Sequence, residues 1–191
     1  MLFHKKEEMY LGSFTRLVVG TFLKSDTGDI SLVDRENLLN TKERAEVKSE
    51  IELLRLIILL FQLMEISHFG KKEYSPQELG KIIGIGVGFA YQDIGLSKEE
   101  SVKKVERLFS RIEYYSDAME KTDQQKLKSR GQFFYLIKYF TDLIIIFETG
   151  KMVEQNFQER HFVVFELGKQ VYQHDKKAFE EAIKNVKFLD E

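Results

Sequence analysis

The stretch IELLRLIILLFQLMEI, residues 51–66, decides the fold of this chain. On a helix, the polar positions in and just before it form one narrow stripe: Lys48, Glu52, Arg55, Leu59 and Gln62, with Leu59 the apolar exception. A helix that is apolar over most of its circumference is buried on nearly all sides. The stretch is also shorter and more polar than a membrane span, which needs about 20 apolar residues. The pattern therefore predicts the central helix of an all-α protein that does not span a membrane.

The composition is that of a folded globular chain. The 191 residues are 43% hydrophobic and 31% charged, which excludes disorder and suits one domain, residues 1–191. The sequence contains one proline and sixteen phenylalanines, which favours long helices packed through aromatic side chains. We therefore expect a single-domain bundle of about six or seven helices around the central one.

Charge and cysteine content exclude several classes of function. The net charge of −2 gives no electrostatic case for binding nucleic acid or an anionic membrane. The absence of cysteine excludes disulfides and thiolate chemistry. The opening MLFHKKEEMY has no apolar run behind its lysines, so we expect no secretory signal and a cytoplasmic protein.

The beginning of the chain has two interpretations. Leu11, Phe14, Val18 and Phe22 recur at helical spacing. However, TRLVVGTFL and ISLV, separated by KSDTGD, are also typical of two strands around a turn. We favour the helix, because all later segments are helical, and keep a short N-terminal hairpin as the alternative.

Capping signals set the later helices. The central helix is predicted from Asn40 or Thr41 to His68, and the residues Ser75-Pro76 with Glu78, and Ser97 with Glu100, form two capping boxes. Behind Ser97 we expect a buried seam of Val102, Val105, Phe109, Ile112 and Met119. Next come a second apolar core helix and two amphipathic closing helices. The core helix is FFYLIKYFTDLIIIF, residues 133–147, with Lys138, Asp142 and Tyr135 on its polar stripe. The closing helices meet at Asp175, which is predicted to cap the last one; Phe179, Val186 and Leu189 of that helix face inward.

Three glycines at intervals of four follow Ser75. Gly80, Gly84 and Gly88 fall on one face of a helix, and each costs about 1 kcal/mol relative to alanine. Close approach of another backbone is the simplest compensation. We predict that this face packs against another helix, most simply the central one, or forms a contact with a second subunit.

The same stretch resembles part of a helix-turn-helix motif. SPQELGKIIGI has the leucine, small residue and later glycine of a first helix and its turn. The second helix would begin GVGFAYQD, which has no Lys or Arg to contact phosphate and has Asp93 where an apolar residue belongs. DNA binding is therefore kept as an alternative function, and we do not expect a nucleic-acid partner.

One combination of residues is typical of metal binding. Glu65 and His68 are spaced as in half of a ferritin-like carboxylate site, and Glu154 and His161 share a face of a later helix. That site requires Glu-x-x-His twice and two further glutamates, whereas the motif occurs here once. We expect no metal, no cofactor and no enzymatic activity, since a G-x-S-x-G nucleophile motif is also absent.

These observations favour a non-enzymatic module that binds another protein or a second copy of itself. Four tyrosines are candidate exposed anchors: Tyr91, Tyr114, Tyr115 and Tyr172. A second hypothesis is an apolar small molecule or lipid held in a cavity between the Phe-, Leu- and Ile-rich helices.

Overall fold

The chain folds as an all-α helical bundle, as the sequence predicts. The computed structural model describes residues 6–24, 41–64, 66, 73–149 and 157–189. Within these ranges there are seven helices and two short strands. In chain order they are β1 (Glu7–Met9), α1 (Leu11–Lys24), α2 (Thr41–Met64), α3 (Pro76–Asp93), α4 (Lys98–Glu120), α5 (Gln124–Arg130), α6 (Gln132–Thr149), α7 (Phe157–Lys184) and β2 (Val186–Phe188).

The contacts divide the chain into two compact units. The first unit comprises Met1–Asp26, Leu56–Arg107 and His174–Glu191, and the second comprises Thr27–Arg55 and Leu108–Gln173. Helices α2, α4 and α7 contribute residues to both. The prediction of one domain over residues 1–191 stays a prediction.

Helix α2 is buried on nearly all sides, as its sequence predicts. Ile57 and Ile58 are inaccessible to solvent, and Leu60 is 5% exposed. Even Arg55 and Gln62, on the predicted polar stripe, are buried. Gln62 donates from Nε2 to the backbone oxygen of Lys176, 3.1 Å away in the first unit. Phe61, by contrast, is only half-buried.

Residues 11–24 form helix α1, so the first strand of the alternative hairpin does not exist. Leu11 and Phe14 of α1 are buried and Val18 is 8% exposed, so the helical period is confirmed and the strand interpretation of residues 15–23 is wrong. The second half of the hairpin, ISLV, lies outside the described residues. The strand that does form, β1, pairs in parallel with β2, with Glu7 opposite Val186 and Met9 opposite Phe188.

Both predicted capping boxes are confirmed. Ser75 accepts a hydrogen bond from the backbone N–H of Glu78, whose carboxylate accepts from the backbone N–H of Ser75 at 2.9 Å. Ser97 and Glu100 repeat the arrangement at the start of α4. Gly95, with a φ of +103°, makes the left-handed turn between α3 and α4.

Three predictions about helices are wrong, and so is the helix-turn-helix alternative. Ile66 is already outside α2, so that helix does not continue to His68. Helix α3 is continuous through Gly84 and Gly86, which excludes the turn of a helix-turn-helix there. Asp175 is buried inside α7, which is one helix rather than two because residues 169–178 contain no glycine or proline. The last residues, Val186–Phe188, form β2 instead of extending the last helix.

The predicted seam of α4 is displaced by one position. Val102 and Phe109 are 47% and 38% exposed, whereas the buried line is Ser101, Leu108 and Tyr115. Ser101 can be buried because its hydroxyl donates to the backbone oxygen of Ser97 at 2.8 Å. The predicted seam is the more apolar of the two lines in the sequence, so apolarity alone does not identify the buried face of α4.

Helix α6 is the predicted second core helix. Leu136 and Phe140 are completely buried, and Thr141 is buried with its hydroxyl bonded to the backbone oxygen of Ile137. Tyr135 is buried as well, so the prediction that it lies on a polar stripe is wrong. In the second unit, α6 packs against α7 at Gly168, where a Cβ would lie 3.0 Å from the Phe140 ring.

Candidate interaction surface

The predicted metal residues do not form a metal site in the described part of the chain. Glu65, His68 and Glu154 lie outside the described residues, and His161 is half-buried in α7. The His161 Nε2 atom is 3.3 Å from Oδ1 of Asp142. Among the residues that the structure describes, no three His, Asp or Glu side chains are placed to hold one metal ion.

Asp142 instead organises a polar cluster in the second unit. It accepts a hydrogen bond from Lys138 as well as contacting His161. Burial, followed by the charge of Asp142, raises the pKa of Tyr114 above its ordinary value. The carboxylate lies between two basic groups, so the arrangement neutralises charge and ties α6 to α7.

The glycine face of α3 is partly enclosed. Gly84 is buried, and Gly80 and Gly88 are half-buried. A Cβ on Gly88 would lie 3.7 Å from Val105, an ordinary contact distance. The close approach occurs at Gly86, where a Cβ would lie 2.7 Å from the backbone oxygen of Gly12 in α1. A packing or interface role for Gly80, Gly84 and Gly88 stays a prediction.

Two of the four predicted tyrosine anchors belong to the core. Tyr91 and Tyr115 are each 1% exposed, and burial raises the pKa of Tyr115 above its ordinary value. Tyr114 and Tyr172 are half-buried, and the Tyr172 ring lies 4.5 Å from the ring of Phe133. The prediction of exposure is therefore wrong for Tyr91 and Tyr115. Burying a large aromatic ring stabilises the folded state by more than burying its hydroxyl group destabilises it.

Apolar side chains are exposed instead on helices α1 and α3. Leu17 is 54% exposed, Ile85 51% and Phe89 46%. Ile85 and Phe89 are four residues apart, so they lie on the same side of α3. Together with Arg16, which contacts Phe89, these residues define the α1–α3 surface of the first unit.

Arg16 is held rigidly at this surface. Its Nε and Nη2 atoms donate to Oδ2 and Oδ1 of Asp93, each at 2.6 Å, and its guanidinium lies 5.4 Å from the centre of the Phe89 ring. The hydrogen bond from Arg16 holds the pKa of Asp93 below its ordinary value. Asp93 therefore stays ionised at neutral pH, and its two oxygens orient the guanidinium of Arg16.

An open cleft of about 310 Å³ lies beside this ion pair. Residues of α1 and the end of α3 line it: Ser13, Arg16, Leu17, Gly20, Thr21, Lys24 and Asp93. Most of these side chains are polar, so the cleft differs from the enclosed apolar cavity that a lipid binder requires.

Sequence reasoning missed the α1–α3 surface. Helix α3 has apolar residues around most of its circumference. One buried face cannot hold all of them, and this excess of apolar residues is the sequence signal for an exposed apolar surface. The pairing of Arg16 with Asp93 joins residues 77 positions apart, for which a single sequence gives no local signal.

Comparison with known proteins adds no functional information. No protein-family model matches the chain, and neither a curated protein nor a solved structure is significantly similar to it.

None of the helices in the described ranges combines the length and the apolar character needed to cross a membrane.

Proposed function

We propose that this protein is a non-enzymatic interaction module that binds another protein, or a second copy of itself, through the α1–α3 surface. The observation that carries the proposal is the exposure of Leu17, next to Arg16 in α1, and of Ile85 and Phe89 in α3, where the Phe89 ring contacts the guanidinium of Arg16. Exposed apolar residues grouped in one place are typical of protein-binding sites. A cytoplasmic location stays part of the proposal.

The chemistry of Arg16 supports this choice. Arginine and aromatic residues are enriched among the few side chains that dominate binding energy at interfaces. An unrestrained arginine loses side-chain entropy when it binds, whereas Arg16 is already ordered by Asp93 and Phe89. Leu17, Ile85 and Phe89 supply the apolar area that a partner would cover.

The test compares a double substitution on the surface with a matched one elsewhere. Ile85→Ser with Phe89→Ser removes apolar area from the α1–α3 surface, and Phe162→Ser removes a ring that is 64% exposed on α7. Sedimentation over a wide range of concentration measures self-association. Quantitative mass spectrometry of proteins captured from the native host measures binding to other proteins.

We expect the double variant to lose the dimer or the captured protein, and the Phe162→Ser variant to retain it. If the wild-type protein is monomeric at all concentrations and captures the same proteins as the double variant, this proposal is wrong.

A further inference from the structure

The cleft beside the Arg16–Asp93 pair has a net positive charge. Arg16 and Lys24 contribute two cations and Asp93 one anion. A guanidinium has five N–H donors, of which Asp93 uses two, so three remain for a ligand. Among the described residues, Lys24 makes no hydrogen bond or ion pair, and it acts on Asp93 only through its charge. Two positive groups with unused donors therefore line one open cleft.

The floor of the cleft is left open by a glycine. A Cβ built on Gly20 has no heavy atom within 4 Å, in contrast to Gly86, where a Cβ would collide with α1. Among the described residues, no neighbour therefore requires a glycine at position 20. Its lack of a side chain leaves space between Arg16 and Lys24, which are two turns apart on α1.

We propose that this cleft binds a carboxylate from an acidic segment of the partner protein, an Asp or Glu side chain that lies between Lys24 and the unused edge of Arg16. Ser13 also lines the cleft, on the side of Arg16 away from Lys24. This inference rests on the proposed function and specifies the chemistry of the partner.

Charge and shape favour a carboxylate over a phosphate group. One net positive charge matches a monoanion, whereas Asp93 would repel the second charge of a phosphate dianion. Leu17 and Phe89 flank the charged groups and suit apolar neighbours of the acidic residue. The partner segment is therefore expected to carry an acidic residue close to leucine-like side chains.

The first test measures binding of small probes by amide chemical shifts of the intact protein. The probes are the capped dipeptide acetyl-Glu-Leu-amide, its acetyl-Gln-Leu-amide counterpart, acetate and inorganic phosphate. We expect saturable shifts at Gly20, Thr21 and Lys24 with the glutamate probe, and about tenfold weaker binding of the glutamine probe. Acetate or phosphate that binds as tightly as the glutamate probe would show a site for free anions and overturn the inference.

Substitutions locate the binding in the cleft. We expect Lys24→Gln to weaken binding of the glutamate probe about tenfold, and Gly20→Leu to abolish it while the fold is retained. Lys81→Gln is the matched control, because Lys81 is an exposed lysine of α3 outside the lining of the cleft. If Lys81→Gln weakens binding as much as Lys24→Gln, the effect is that of general charge and the inference is wrong.

Capture from the native host separates this inference from the proposed function. If Lys24→Gln loses the same partner as the Ile85→Ser, Phe89→Ser double variant, both are supported. Retention of the partner by Lys24→Gln, with loss in the double variant, overturns the carboxylate site and leaves the function standing. Retention by both variants overturns both.

Discussion

Gly86 and Gly20 have opposite surroundings although each lies inside a helix. A Cβ on Gly86 would meet the backbone oxygen of Gly12 at 2.7 Å and the Cβ of Thr15 at 2.8 Å. A backbone carbonyl cannot move aside as a flexible side chain can, so α1 and α3 can lie this close only if residue 86 is glycine. In the part of the chain that the structure describes, no atom occupies the equivalent space at Gly20.

Alanine substitution therefore has opposite effects at the two glycines. Gly86→Ala is expected to lower the free energy of unfolding by about 1–3 kcal/mol, the usual cost of overpacking. Gly20→Ala is the control and is expected to raise it by up to about 1 kcal/mol, through better helix propensity. Urea denaturation measures both, and equal effects of the two changes would contradict the close packing of α1 on α3.

At the level of single residues, the sequence predicts what local chemistry determines. The capping of α3 by Ser75 and of α4 by Ser97 depends on residues three positions apart, so both predictions are confirmed. The sequence does not identify Gly86 as the point of close packing, because the contact is made by α1, a separate element. The contact between Arg16 and Asp93 was missed for the same reason.

At the scale of the elements, the stability that the capping box gives to the first turn of α4 depends on pH. The carboxylate of Glu100 accepts hydrogen bonds from the hydroxyl and backbone N–H of Ser97, at 2.6 and 2.9 Å. The side-chain hydrogen bond, followed by the backbone one, lowers the pKa of Glu100 below its ordinary value. A carboxyl group with a lowered pKa stabilises the folded state above its ordinary pKa, and this contribution is lost as the pH falls through its pKa in the folded protein.

We therefore expect Ser97→Ala to lower the melting temperature at neutral pH, by a margin that shrinks as the solution is acidified. Ser110→Ala, at an exposed position in the middle of the same helix, is the control and is expected to show no such pH dependence. Thermal unfolding followed by circular dichroism between neutral and acidic pH provides the measurement. A Ser97→Ala deficit that is constant with pH would show that the carboxylate is not involved.

A buried ion pair joins α2 and α4 in the second unit. Arg111 donates from Nε and Nη2 to the two carboxylate oxygens of Glu50, at 2.9 and 2.7 Å. The Glu50 side chain is 5% exposed and that of Arg111 16%. Hydrogen bonding to Glu50 raises the pKa of Arg111 further above its ordinary value. The pair is largely removed from water, so the loss of Arg111 takes two charge-assisted hydrogen bonds from a buried carboxylate.

Arg111→Met is expected to reduce the free energy of unfolding by about 3–5 kcal/mol, since Glu50 would lose its guanidinium. Glu50→Leu combined with Arg111→Met is expected to recover most of that loss, because two apolar side chains can pack where the charges were. Guanidinium denaturation of the single and double variants tests this. A single variant within about 1 kcal/mol of the wild type would mean that the pair is solvated.

The sequence predicts the type of most elements correctly, but it predicts their ends and buried faces less well. The apolar segments that became α2 and α6 are buried because they have no extended polar side, and this follows from the sequence alone. The buried face of α4 and the continuity of α7 through Asp175 depend on neighbouring elements. Tertiary packing thus decided what periodicity left open.

For the molecule as a whole, the β1–β2 pair joins residues from opposite ends of the described chain. Glu7 donates its N–H to the backbone oxygen of Asn185, and Leu189 donates its N–H to that of Met9, both at 3.0 Å. The Phe188 ring lies 5.2 Å from the Phe14 ring at an interplanar angle of 84°, an edge-to-face contact. This contact secures β2 against α1 in the first unit.

Phe188→Ala is expected to cost about 2 kcal/mol of unfolding free energy, less than the loss for a fully buried ring because Phe188 is half-buried. It is also expected to speed hydrogen exchange at the amides of β1. Lys187→Ala, which removes only the exposed ion pair with Glu8, is the control and should change stability much less than Phe188→Ala does. Slow exchange in β1 of the Phe188→Ala variant would show that β1 is held independently of this ring.

The pairing of β1 with β2 also determines when the first unit can finish folding during synthesis. Glu8 and Lys187 form an ion pair across 179 positions of the chain. At about 5–20 residues per second, a ribosome needs roughly ten to forty seconds to travel between them. Helix α1 is made before α7 and β2, so Phe14 and Phe22 stay uncovered until their ring partners Phe188 and Phe179 have been synthesised. The first unit can therefore be completed only after β2 has been made, and nascent-chain chaperones have a long interval in which to bind the uncovered side of α1.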